Sequence, residues 1–210
     1  MNEWFQSIGV EATAMTGWEA VAVVLAMAYL LLAMKRSLWC WPAAFVSTLI
    51  YTVLFWNVAL LMESALNVFY MVMAIYGYWQ WRYGDPDDLS GESHGAQIHT
   101  WTIKRHFQVM IATACVAALA GYLMSKYTHA DMPYLDAATT CFAVVGTFML
   151  AYKVLETWLY WVVIDLASIV LYVNKSFMLT SALFVGYVVL AAVSYFVWRR
   201  AMHEESHAHA

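Results

Sequence analysis

Apolar runs of about 20 residues follow one another along nearly the whole chain, and that succession leaves few folds open. The sequence is 64% hydrophobic and only 11% charged, where a soluble domain carries about 25% charged residues. Such a chain cannot cover itself with a wetted surface. Each run is long enough to cross a hydrocarbon core of about 30 Å. In that core the backbone must satisfy its own polar groups, which for segments of this length means α-helices. The expected fold is therefore an all-α integral membrane protein with seven transmembrane helices, at 17–34, 39–57, 60–81, 106–125, 134–152, 155–173 and 177–198. Little lies outside them, so function has to be built from the helices themselves. The first 16 residues hold Glu3 and Glu11 but no Lys or Arg, unlike the basic start of a cleaved signal peptide.

The basic residues set an expected orientation. With the N-terminus outside, Lys35, Arg36, Arg82, Lys104, Arg105, Lys153, Arg199 and Arg200 fall on the cytoplasmic side and only Lys126 and Lys175 outside. That is the bias of the positive-inside rule, and flipping the chain or dropping a span spoils it. Cys40, Cys115 and Cys141 have no paired spacing and read as small buried hydrophobes.

The chain also repeats itself. Shifted by 117 positions, the third run matches the last one: Ser64, Ala65, Leu66, Val68, Tyr70, Val72, Ala74, Tyr78, Trp81 and Arg82 fall on identical residues, from Ser181 to Arg199. The same shift puts Trp41 on Trp158, Leu49 on Leu166, Asn57 on Asn174, and Arg36 against Lys153. Spans one to three therefore recur as spans five to seven, and the fourth is left as a connector. The organisation expected is a first repeat at 17–82, a cytoplasmic loop and connector helix at 83–133, a second repeat at 134–200, and a flexible tail at 201–210. An odd number of spans would invert the second copy, and the extra crossing restores its direction. This 3+1+3 parallel repeat is an arrangement of transporters, which hold substrate between the halves and expose it to alternate sides.

Symmetry alone cannot grip an asymmetric ligand, so the differences between copies mark the candidate site. Glu63 and Asn67 stand where the last span has Thr180 and Phe184; Trp161 and Asp165 stand where the second span has Ala44 and Thr48. Trp158, Trp161, Asp165, Ser168 and Tyr172 share one helix face. A carboxylate at mid-span costs roughly 2.5–3.5 kcal/mol on insertion scales and normally faces a cavity or a partner. Glu63, Asn67, Tyr70, Ala74, Gly77 and Trp81 form a second stripe, and Gln80 is a further polar group nearby. Glu63 lies about one turn from the outer end and suits a solvated carboxylate as well as a ligand group. Aromatic faces with a carboxylate attract a flat cation, while amides and phenols suit sugar hydroxyls. The spans hold no central Lys or Arg for an anion.

With these residues in view, ESALNVFYMVMAIYGYWQW, ETWLYWVVIDLASIVLYVNKSFMLTSALF and PYLDAATT resemble the PnuC family of bacterial nicotinamide riboside transporters, over about residues 18 to 200. The resemblance implies a bundle like a full-length SWEET transporter, assembled as a homotrimer in the bacterial inner membrane. It implies uptake of nicotinamide riboside, an NAD precursor, by facilitated diffusion, with retention by a cytoplasmic riboside kinase. The substrate residues it implies are Asn67, Tyr70, Trp158, Trp161, Asp165, Tyr172 and Asn174. Asp136 matches a recurrent aspartate that equally suits a helix N-cap.

Other classes fit less well. A retinal photoreceptor needs a lysine inside the last span, and residues 178 to 198 have none. An intramembrane enzyme needs clustered His, Cys or paired acids at membrane depth, yet every His lies outside the spans or at their ends. A pump would need a nucleotide site, and no GxxxxGK[ST] occurs. No cofactor, metal or nucleic-acid partner is expected. A sugar-carrying SWEET relative, or a carrier of another nucleoside-like or vitamin-like substrate, is the nearest alternative.

Overall fold

The computed structural model describes residues 17–57, 61–84, 97–128, 132–174 and 178–208. They fold into α1 (Gly17–Met34), α2 (Cys40–Asn57), α3 (Leu61–Tyr83), α4 (Ile103–Tyr127), α5 (Pro133–Ala151), α6 (Thr157–Asn174) and α7 (Met178–Ala208). By length and composition α1, α4, α5, α6 and the Thr180–Glu205 part of α7 can each cross a membrane. The sequence reading expected seven spans; α2 offers a shorter apolar stretch, Cys40–Leu54, and α3 is diluted by Asn67, Gln80 and its Tyr and Trp residues.

Local sequence explains several ends. Pro133 opens α5, where its missing N–H costs nothing, and Asp136 lies within the first turn rather than at the cap. Thr102 caps α4 by accepting from the Arg105 N–H at 3.4 Å. α7 runs on to Ala208, through the segment the sequence reading gave to a flexible tail. The exposed i,i+4 pair Arg200–Glu204, at 2.9 Å, lies on that extension.

The described residues group into two compact units. The first takes Ala14–Ile98 together with Leu150–Lys153 and Val197–Ala210. Here Ser47 Oγ donates to Ala22 O at 2.9 Å, joining α2 to α1, and Ser64 Oγ donates to Thr52 O at 3.0 Å, joining α3 to α2. At the far end of α3 the Trp41 indole fills the space that a side chain on Gly77 would need. Trp41 meets Trp81 edge-on at 5.3 Å and Tyr29 at 6.3 Å. Hydrogen bonds between membrane helices average only about 0.6 kcal/mol, so close packing of this kind carries most of the association.

Two helix-end turns have the same hydrogen-bond pattern. After α1, Arg36 N–H bonds Ala33 O and Ser37 N–H bonds Leu32 O; after α5, Lys153 N–H bonds Leu150 O and Val154 N–H bonds Met149 O. Both are Schellman ends. Their left-handed residues are Arg36 (φ 58) and Lys153 (φ 53), where glycine is usual and another residue costs on the order of 1–2 kcal/mol. Trp198 Nε1 donates to Ala33 O at 3.1 Å, and Trp81 Nε1 donates to Leu150 O at 3.1 Å. Each carbonyl and each indole is the other's counterpart in the repeat, so the pair is reciprocal. Tyr76 adds a hydroxyl bond to Tyr152 at 2.5 Å.

The second unit takes His99–Met149 and Val154–Phe196. Thr157 Oγ1 donates to Gly146 O at 2.9 Å and locks the start of α6 to α5. Tyr134 packs over Gly121 on α4. His106 Nδ1 lies 3.1 Å from Tyr160 Oη, and the Trp101 N–H donates to Glu156 at 3.4 Å, so α4 and its leader are pinned to α6.

A Cβ on Gly77 would lie 2.3–2.5 Å from three Trp41 ring atoms, whereas one on Gly186 would meet nothing within 4 Å. Gly77→Ala is therefore expected to cost about 1–3 kcal/mol by overpacking. Gly186→Ala should be neutral or stabilising, since Ala outranks Gly in a helix by roughly 1 kcal/mol. Thermal unfolding of the two variants in one detergent checks the contrast.

Candidate substrate site on α6

A helix that merely crosses lipid keeps its polar groups few and its apolar groups all round. α6 does something else. Leu159, Val163, Leu166, Val170 and Val173 are exposed along one side, and their steps of 4, 3, 4 and 3 make a continuous apolar face. On the other side Trp158, Asp165 and Ser168 are buried, at 2%, 4% and 5% exposure, with Trp161 and Tyr172 half-buried beside them. The polarity is thus inverted relative to a soluble helix, with the carboxylate held inside and the aliphatic face turned out.

The inward face is fixed by its neighbours. Thr157 is anchored on Gly146 O, one residue before Trp158. The Trp161 indole lies against Gly146, where an added Cβ would stand 3.2 Å from its ring; a glycine there lets the indole settle flat. Tyr172 stacks on Phe184 at 5.2 Å with 26° between planes, and Phe184 meets Tyr187 at 5.4 Å. No hydrogen bond or ion pair to the Asp165 carboxylate or the Ser168 hydroxyl occurs among the described residues. The repeat partner of Asp165 behaves differently: Thr48 Oγ1 donates back into its own helix, to Ala44 O at 2.9 Å and Phe45 O at 3.1 Å. Buried polar groups are normally satisfied, so Asp165 and Ser168 have bonding capacity to offer a ligand.

The remaining sequence candidates are placed as follows. Asn67 and Tyr70 are half-buried on α3, with the Tyr70 ring 5.5 Å from Phe69. Gln80 turns its amide to Gly84 O at 3.4 Å, at the end of the same helix. Asn174 is exposed at the last position of α6 and donates to Val170 O at 2.7 Å. Glu63 belongs to α3, but its side chain lies outside the described residues. Ala74, Gly77 and Trp81 of the α3 stripe are buried against Trp41 and Leu150. Gly146 and Thr157, which seat the two α6 indoles, are the supports that the sequence did not single out.

Chemically, the α6 face offers a carboxylate, a hydroxyl, a phenol and two indoles in one column. A cation with a flat face can sit over such rings and be neutralised by the carboxylate. An anion would face repulsion from Asp165 with no basic group on that helix to offset it.

The profile of the nicotinamide mononucleotide transporter family matches residues 16–200. The riboflavin/roseoflavin transporter RibM of Streptomyces davaonensis (strain DSM 101723 / JCM 4913 / KCC S-0913 / 768) is 28% identical over 171 residues, covering 80% of this chain and 78% of that one. Among solved structures, the vitamin B3 transporter PnuC superposes with a TM-score of 0.71 at 17% identity, covering 96% of this chain and 90% of that one. The chain thus shares that transporter's fold.

The geometry separates two buried hydroxyls on α6. Thr157→Val removes a bond made at zero exposure and should destabilise by about 1–3 kcal/mol. Ser168→Ala removes no bond to the described protein and should leave thermal stability unchanged while weakening ligand binding. Melting and binding curves recorded on both variants test this.

Proposed function

The chain belongs to the nicotinamide mononucleotide transporter family and is a multi-pass membrane transporter, not an enzyme, and on that footing we propose that it carries nicotinamide riboside. The observation that carries this reading is the buried α6 face, where Asp165 has no ion-pair or hydrogen-bond partner among the described residues and is flanked by Trp158 and Trp161. A pyridinium ring offers the flat positive charge that this column lacks, and its ribose offers hydroxyls to Ser168 and Tyr172. A nucleotide's phosphate would bring charge of the same sign as Asp165, so the riboside fits better than the mononucleotide for which the family is named. Asn67 and Tyr70, and with them Glu63, Gln80 and Asn174, are secondary candidates for contacts to the carboxamide and sugar.

In this proposal all seven helices cross the bacterial inner membrane as a 3+1+3 parallel repeat, with the N-terminus outside. Substrate moves by alternating access without an energy source. Phosphorylation by a riboside kinase keeps it inside, and the working assembly is a homotrimer. A second reading has its own support: the relative RibM is named for riboflavin and roseoflavin, whose flat ring is uncharged at neutral pH. A flavin would use the indoles of α6 but would have no charge to set against Asp165.

Titration calorimetry on the purified chain tests the assignment. Nicotinamide riboside should release heat with the unaltered chain. Trp161→Ala or Asp165→Ala should weaken binding by about tenfold or more, equivalent to about 1.4 kcal/mol. Thr48→Ala should leave it within about twofold, because Thr48 bonds only its own helix. Absence of heat, or equal losses at all three positions, contradicts the proposal.

A further inference from the structure

The twin turns after α1 and α5 carry long basic side chains at the two left-handed positions, where the backbone favours glycine. Residues held in such conformations point to a role for the side chain itself. Glu205 supplies the role. Its carboxylate pairs with Arg36 across 169 positions of sequence. It also acts on Lys153: burial pulls that ammonium below its ordinary range, and Glu205 pushes it back up. Lys153 in turn places its Nζ 4.9 Å from the centre of the Trp81 ring, and Trp81 holds Leu150 O.

Glu205 stands where the repeat breaks down. The third helix of the first copy ends at Tyr83, whose counterpart is Arg200, yet α7 continues to Ala208. At 31 residues α7 exceeds the roughly 20 a bilayer needs. The extra turns bury Ala201 and bring Glu205 to the Arg36 turn.

Building on the transporter reading, we propose that the C-terminal extension of α7 is a latch: Glu205 holds the Arg36 turn to the end of α7, and its release opens that end of the protein in the transport cycle. The crossed Trp81 and Trp198 bonds are the contacts that the latch keeps closed. Arg36, Lys153 and Glu205 act through these turns as positioning residues.

Cys40 reports on the latch without added probes. It is fully buried at the start of α2, just past the Arg36 turn, and Cys115 and Cys141 can be replaced by Ala. The full-length Cys40-only chain should react slowly with a maleimide. Glu205→Gln should speed the reaction by about threefold or more, as expected for a lost partly exposed ion pair that gates local opening. The full exchange, Arg36→Glu and Lys153→Glu with Glu205→Arg, should restore slow labelling and the original melting temperature. An unchanged rate in Glu205→Gln, or fast labelling that the charge exchange does not reverse, overturns the latch. Saturating nicotinamide riboside should also speed labelling of the Cys40-only chain. If Glu205→Gln and the exchange behave as stated while the riboside has no effect, the latch stands and the substrate assignment falls.

Discussion

Two indole N–H groups, each bonded to the end carbonyl of a helix from the other repeat, fix the geometry on which the rest of the first unit depends. An indole can only donate, and each of these carbonyls, which already accepts the N–H of its own turn, has a second lone pair to offer it. In surroundings with little water that second lone pair gives the indole its partner. Because Ala33 and Leu150 correspond, as do Trp81 and Trp198, one local solution appears twice. The 117-residue sequence match accounts for the pair, because it places the same indole at both positions.

In the proposed function, the site lies where the two matched sequence stretches differ. Thr48 returns its hydroxyl to its own backbone, which closes the account for that residue. Asp165, at the equivalent place, keeps a buried carboxylate with no hydrogen bond or ion pair to the described protein. Asn67 has become Phe184, which stacks on Tyr172 and turns a polar position into an aromatic wall. The extension of α7 beyond Arg200 is a third break, and it carries the carboxylate that pairs with Arg36.

Much of this was legible in the sequence because helices in lipid leave strong marks. Length and apolarity gave the helix positions, and one fixed offset exposed the internal sequence match. The inward direction of Trp158, Trp161 and Asp165 followed from steps of 3 and 4. Side-chain reach was not legible. Gln80 was singled out as a polar group near the membrane and Asn174 by the family resemblance; what the sequence did not show is that each bonds backbone within a helical turn. Gly77 stood in the α3 stripe with no partner legible in the sequence, and Trp41 fills the space beside it. The Arg36–Lys153 match was visible as a pairing of basic residues, but its left-handed geometry and its tie to Glu205 depend on chain folding over more than 150 residues.

The central claim is that the Asp165 carboxylate selects a flat cation. Reduced nicotinamide riboside has nearly the same shape without the positive charge, so the ratio of the two affinities isolates that charge. With the unaltered chain the oxidised riboside should bind at least about tenfold more tightly, a difference of about 1.4 kcal/mol. In Asp165→Asn, which keeps the size of the side chain, the ratio should collapse toward one. Equal affinities in the unaltered chain, or a preference that survives the substitution, would contradict the account.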